Sequence, residues 1–194
     1  ANLYIRGDGV EKSEDTAREL YMKAADYGLP QANINAALLL DRKALTETES
    51  LPIYQQAIEY LQKAAQFKDY RAIRRLAEYY ELGLAGNKNV LEAIKLYKES
   101  ARKGNADAQL KMADYSNAPE YPTEYDPEEA LRWLMLSADN GNAQAQAKVG
   151  YCFENGIGVR KDNEVALRWY LLSAKKNFAP AQVAMGNSYS TGAG

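Results

Sequence analysis

"GIGVRKDNEVALRWYLLSAKKN", residues 156–177, decides the fold because it echoes "GDGVEKSEDTARELYMKAADYG" at residues 7–28. Both copies read Gly-x-Gly-Val, a polar turn, then Ala, Tyr and a small pair at matching spacings. Between them the frame returns in "QQAIEYLQKAAQFK", "LEAIKLYKESARKG" and "EEALRWLMLSADNG". Aligned on the second small residue, the column is Ala25, Ala65, Ala101, Ala138 and Ala174, with intervals of 40, 36, 37 and 36 by subtraction. Eight residues earlier stand Ala17, Ala57, Ala93, Ala130 and Ala166; four earlier stand Tyr21, Leu61, Tyr97, Leu134 and Tyr170. Small, large and small residues at i, i+4 and i+8 line one stripe of an α-helix and let a neighbouring helix come close. This helix is called B.

Its ends are written in columns too. Ser13, Asn89, Asp126 and Asp162 precede it as N-caps, and Pro127 takes a first helical position. Gly28, Gly104, Gly141 and Asn177 follow it, the residue types that tolerate a left-handed C-terminal cap. The second repeat breaks both columns, with Ile53 and Lys68. Upstream of each helix B lies a second pattern, helix A. Ala32, Ala72, Ala108, Ala145 and Ala181 open it, then Ala36, Leu76, Met112, Val149 and Met185. Beside these stand Ala37, Ala77, Ala113, Gly150 and Gly186, and three further on Leu40, Tyr80, Ser116, Phe153 and Tyr189. No strand-like alternation competes, and helix pairs repeated at this length stack as an α-solenoid.

"AQAQAKVGYCFENGIGVRKDNEVALRWYLLSAKKN" at residues 143–177 resembles a Sel-one-like repeat, a tetratricopeptide-like helical hairpin with a Leu-Gly-x-x-Tyr-x-x-Gly-x-Gly-Val turn, Ala-x-x-Trp-Tyr and a final Ala-Ala. The resemblance covers nearly the whole chain and is weakest over residues 31–69. It implies an all-α, right-handed α-α superhelix of about five stacked repeats, one solenoid over residues 1–194 with units at 1–29, 30–69, 70–105, 106–142, 143–178 and a partial 179–194. Two departures stand out. The second repeat lengthens its inter-helix loop with "RKALTETESLP" (42–52), and the fourth replaces the Gly-x-Gly-Val turn with "NAPEYPTEYD" (117–126). Both read as tolerated surface loops rather than partner-specific ones, because loop length costs little stability. Tyr4 and Gly7 match the end of a helix A whose start is absent, and "TGAG" (191–194) stops inside a turn, so a stretch of a longer array is expected.

Composition narrows the function. The 194 residues are 46% hydrophobic, enough for a buried core, and the formal net charge of −2 offers no basic field for nucleic acid. No stretch approaches the roughly 18 consecutive apolar residues that would span a bilayer. The single cysteine, Cys152, excludes an internal disulfide, and the absence of histidine removes the commonest general base and metal ligand. No cofactor, metal or catalytic residue is expected.

The tempting motifs have plain explanations. The Gly-x-Gly-Val turn follows a helix rather than a strand and lacks the Gly-Lys-Ser/Thr ending of a phosphate loop. Arg6-Gly7-Asp8 occupies that same turn, where the repeat itself requires the glycines. Trp133 and Trp169 share an apolar column with Leu20, Tyr60 and Leu96, which favours burial over a stacking platform. Cys152 shares its column with Leu39, Tyr79, Tyr115 and Ser188, which favours a structural or semi-buried thiol. "EYDPEE" (124–129) offers paired carboxylates for a metal or glycoside site, yet Asp126 and Glu129 have cap and first-turn positions.

"RAIRRLAEYYE" (71–81) places Arg71, Arg74, Glu78 and Glu81 on one stripe, which reads either as a solvated face with salt bridges or as a binding surface. In tetratricopeptide-like arrays helix A lines the concave groove. The resemblance therefore implies partner-binding positions at Arg71, Arg74, Glu78, Asp107, Asp114, Gln144, Tyr151 and Asn187. The reading is a non-enzymatic adaptor for a peptide or protein partner, a role the family fills in bacteria and in endoplasmic-reticulum quality control. Lack of an N-glycosylation sequon leans towards bacteria, with periplasm and cytoplasm both open. The rivals are an enzyme or small-molecule binder acting on cell-wall material, and a structural spacer.

Overall fold

The computed structural model describes the backbone of residues 1–191 and the side chains of residues 1–188. The Tyr189 side chain and the end of the "TGAG" turn (192–194) therefore lie outside the described residues. Among the described residues there are eleven helices and no strand. They are α1 (Asn2–Arg6), α2 (Glu14–Asp26), α3 (Pro30–Ala44), α4 (Leu51–Gln66), α5 (Tyr70–Leu82) and α6 (Val90–Arg102), then α7 (Ala106–Ser116), α8 (Pro127–Asp139), α9 (Ala143–Asn155), α10 (Asn163–Ala174) and α11 (Ala179–Thr191). The even-numbered helices are the B helices; α3, α5, α7, α9 and α11 are the A helices. The contacts divide the chain into two compact units, Ala1–Glu99 and the residues from Ser100 onward.

The columns build the cores. In the first unit Ala17, Tyr21, Ala36, Ala57, Leu61, Ala72 and Leu76 are buried together. In the second, Ala108, Met112, Ala130, Leu134, Ala145, Val149, Ala166 and Tyr170 are buried on the same frame. Burying one large aliphatic side chain contributes about 1.5–3 kcal/mol, so each repeat's large residue matters more to stability than its alanines, which set the approach distance. Gly150 shows how close that approach is. A Cβ there would lie 2.9 Å from the Tyr170 ring and 3.1 Å from the Ala166 carbonyl oxygen.

Helix ends follow the sequence. Ser13, Asp126 and Asp162 accept amides of the first turn of α2, α8 and α10, and Asn89 accepts the amide of Glu92. The inter-helix turn is closed by a backbone bond. The amides of Ser13, Asn89 and Asp162 donate to the carbonyls of Tyr4, Tyr80 and Phe153 at 2.9, 2.8 and 2.9 Å, nine residues back in each case by subtraction. Gly7, Gly83 and Gly156 end the preceding helices at φ of 77°, 71° and 69°, the left-handed region that favours glycine. In the fourth repeat the amide of Asp126 donates to Ser116 at 2.8 Å, so "NAPEYPTEYD" closes the same turn with one extra residue.

Four expectations need correction. The long loop of the second repeat shrinks to residues 45–50, because α3 runs on to Ala44 and α4 begins at Leu51. Lys68 breaks the glycine column in residue type only, since it adopts φ 58°. Leu20 is 37% exposed, unlike Tyr60 and Trp133 in its column, and Trp169 is half-buried. Gly186 faces open space instead of a packed helix.

Candidate functional site

In the first unit, α5 presents the expected basic stripe, but most of it is engaged. Arg71 donates from Nε and Nη2 to Asp69 at 3.1 and 2.8 Å, and from Nη2 to Gln31 Oε1 at 3.0 Å. The Arg71 guanidinium holds the Asp69 carboxyl below the usual carboxylate range. Arg71 and Asp69 line an open cavity of about 600 Å³ with Pro30, Gln31, Phe67, Lys68 and Tyr70. Arg74 pairs with Glu78, and Glu81 accepts the Tyr97 hydroxyl at 2.7 Å.

Beneath this stripe lies a network that the sequence did not single out. Arg75 donates from Nε to Asp41 at 2.9 Å and also pairs with Glu78. The Tyr79 hydroxyl donates to the other Asp41 oxygen, and Asp41 is only 6% exposed. Burial and this bond push the Tyr79 hydroxyl far above the ordinary tyrosine value, and Asp41 with Glu78 holds Arg75 firmly protonated despite its burial. A clue was present: Asp41, Glu81 and Glu154 each follow directly on the Leu40, Tyr80, Phe153 column. Glu81 and Glu154 take hydroxyls from Tyr97 and Tyr170, both at 2.7 Å. The second repeat has Leu61 at that helix B position, and its acid is satisfied from α5 instead.

In the second unit, α7, α8, α9 and the turn after α9 enclose a groove of about 390 Å³. Its walls are Ala113 and Asp114, then Pro127, Ala130, Leu131 and Leu134, then Lys148, Tyr151 and Cys152, then Ile157 and Gly158. Lys148 Nζ bonds Asp114 Oδ1 at 2.6 Å across the rim. Tyr151 and Ile157 are 54% and 50% exposed, so apolar surface is presented at the mouth. Cys152 is half-buried, and burial pushes its thiol up while Lys148 pulls it the other way. In the groove the thiol serves as part of the wall.

The eight expected partner-binding residues lie on α5 in the first unit and on α7, α9 and α11 in the second. Arg71, Arg74 and Glu78 belong to α5; of the rest, Asp114 and Tyr151 share the groove of the second unit. Asp107 accepts Asn142 Nδ2 at 2.9 Å, and Gln144 and Asn187 are exposed outside the groove lining. "EYDPEE" is occupied as capping requires: Asp126 accepts the amides of Glu128 and Glu129 at 3.0 Å, and Glu129 accepts Trp133 Nε1 at 3.2 Å. Among the described residues no group of His, Cys, Asp and Glu is arranged to hold a metal, and no helix is long and apolar enough to cross a membrane.

Comparison with known proteins follows the repeat frame. The Sel1 repeat family model matches residues 1–29, 54–66, 71–105, 106–142 and 143–178. The crystal structure of a Sel1 repeat protein from Oxalobacter formigenes superposes with a TM-score of 0.85 at 28% identity, covering 98% of this chain and 76% of that one. A protective antigen of uropathogenic Escherichia coli with an SLR fold superposes at 0.78 and 28% identity, covering 98% of this chain and 40% of that one. In sequence, chitin synthase regulatory factor 3 of Schizosaccharomyces pombe is 29% identical over 154 residues, which is 77% of this chain and 16% of that protein. Human protein sel-1 homolog 2 is 30% identical over 117 residues, 60% of this chain and 17% of that protein. The chain thus spans about a sixth of the length of these curated relatives.

Proposed function

The chain belongs to the Sel1 repeat family, and from that premise we propose that it is a non-catalytic adaptor whose helix A surfaces dock a peptide segment of a protein partner. Sel1 repeat proteins are in general protein-interaction scaffolds, and regulators of chitin synthase are among the relatives. The observation that carries the reading is the groove of the second unit. Its apolar walls come from three packed helices, its mouth exposes Tyr151 and Ile157, and one ion pair marks its rim. A site made this way holds side chains of an extended or helical peptide through apolar contact, with a few polar groups fixing register. The rival reading, hydrolysis of cell-wall material, calls for two convergent carboxylates in one pocket. Of the two cavities described above, each is lined by one carboxylate, paired with a cation: Asp69 with Arg71, Asp114 with Lys148.

The test is selection of displayed short random peptides on the immobilised chain, followed by titration against the wild type and a Tyr151→Ala variant of unchanged helical circular dichroism. Saturable binding weakened at least about tenfold in the variant supports the reading. Peptides that bind both proteins equally, or none at all, overturn it.

A further inference from the structure

The groove of the second unit is bracketed by an unusually acidic segment. Asn117 and Pro127 both line the groove, and between and just beyond them run Glu120, Glu124, Asp126, Glu128 and Glu129. Residues 117–129 thus hold five carboxylates and neither lysine nor arginine, in a chain whose formal net charge is only −2. Asp126 and Glu129 have structural duties as cap and indole acceptor, which fix their positions. Glu120 and Glu128 are exposed.

The segment is also tied to α7 and to itself by local contacts. The Tyr121 ring packs edge-on against Tyr115 of α7 with centroids 5.1 Å apart. The amides of Ala118, Tyr121 and Glu124 close successive turns on Tyr115, Ala118 and Tyr121 at 3.1, 3.0 and 2.9 Å. The charge is therefore presented from a fixed rim, so a ligand need not order the segment on binding. On the other wall Lys148 is matched by Asp114, and exposed Arg160 and Lys161 follow Ile157 and Gly158, so a basic flank is directed to the 117–129 side.

Resting on the adaptor reading above, we infer that the groove of the second unit selects a basic peptide, one that seats an apolar side chain between Leu131, Tyr151 and Ile157 while lysine or arginine residues beside it face the 117–129 rim. The apolar walls supply the affinity of the anchor. The rim supplies the choice of partner and the rate of encounter, as complementary charge does at interfaces.

Three labelled synthetic peptides of equal length test this by fluorescence polarisation: a leucine–phenylalanine centre flanked by lysine and arginine, the same centre flanked by glutamate, and the basic flanks around glycine. The first should saturate and bind at least about tenfold more tightly than either of the others, and rising salt should weaken it. The double variant Glu120→Lys, Glu128→Lys should erase the preference for the first over the second, and Tyr151→Ala should erase the preference for the first over the third. Equal binding of the first and second peptides overturns the inference, as does a preference that survives the double variant. Equal binding of the first and third reduces the effect to unspecific charge and overturns it as well. A neutral peptide that competes at Tyr151 while the basic one shows no advantage sinks this inference and leaves the adaptor reading standing; peptides of every class failing there sinks both.

Discussion

Lys68 carries the left-handed conformation that three of the other four repeats assign to glycine, with φ 58° at the end of α4. A side chain with a Cβ pays about 1–2 kcal/mol in that region. Lys68→Gly is therefore expected to stabilise the protein by about 1 kcal/mol, read as a higher urea midpoint with unchanged slope; Asn177→Gly, at φ 61°, should gain less because asparagine tolerates the region better. Gly150→Ala should act in the opposite sense. The new Cβ meets the Tyr170 ring and the Ala166 carbonyl oxygen, and overpacking of this kind costs about 1–3 kcal/mol, visible as a lower melting temperature. Positions like Gly150 were legible in the sequence because a column of small residues beside large ones has one cheap explanation. Asp41, Arg75 and Tyr79 were not, because their bonds join neighbouring A helices about 34 and 38 residues apart. A stripe drawn along one helix cannot show them.

At the scale of elements, the two irregular connections differ in kind. Residues 45–50 are tied by few bonds, from Leu45 to Asp41 and from Thr46 to Lys43, whereas 117–126 is knitted by successive turns and the Tyr115–Tyr121 contact. Limited digestion with a glutamate-specific protease should cut first at Glu47 or Glu49, with Glu120 cut later, as mass spectrometry of the early fragments would show. First cleavage at Glu120 would mean that the acidic rim is loose. Both segments read alike in sequence, as polar departures from the frame. What separates them is whether the closing bond nine or ten residues back is kept, and that depends on where the helices stop. The groove was hidden for a related reason. Asp114 and Tyr151 stood out as variable helix A positions, but Leu131, Lys148 and Ile157 come from a B helix, an A helix and a turn, and only packing gathers them.

Across the whole molecule, buried tyrosines shape the response to alkaline pH. Burial, and then hydrogen bonds to Asp41 and Glu154, raise Tyr79 and Tyr170 above the ordinary tyrosine value of about 10. A group raised on folding contributes stability that is complete below its unfolded value and is lost as pH climbs through its folded value, so the chain should weaken from about pH 10 upward. Urea midpoints near pH 8 and near pH 11 should differ in the wild type and differ less in Tyr170→Phe. An equal alkaline drop in both would remove Tyr170 from the account. The repeat frame itself was the most legible level of all, because five copies of one spacing leave no other secondary structure to choose. Two bonds described by that frame recur in the second unit. Ser137 and Ser173 donate to the carbonyls of Ala106 and Ala143, at the head of their own repeats, at 2.6 and 2.7 Å. Gln109 and Gln146 donate to Ala101 and Ala138, at the foot of the repeat before, at 3.1 and 3.0 Å. These two repeats thus each carry a latch and a coupling, whereas Ala24 and Ala64 take the serine's place in the first two repeats and Ile73 takes the glutamine's in the third. Unequal crossing-over between copies of these two repeats at matching positions would yield a longer or shorter array that still closes both bonds, so the number of such repeats can change without a change in how they are joined.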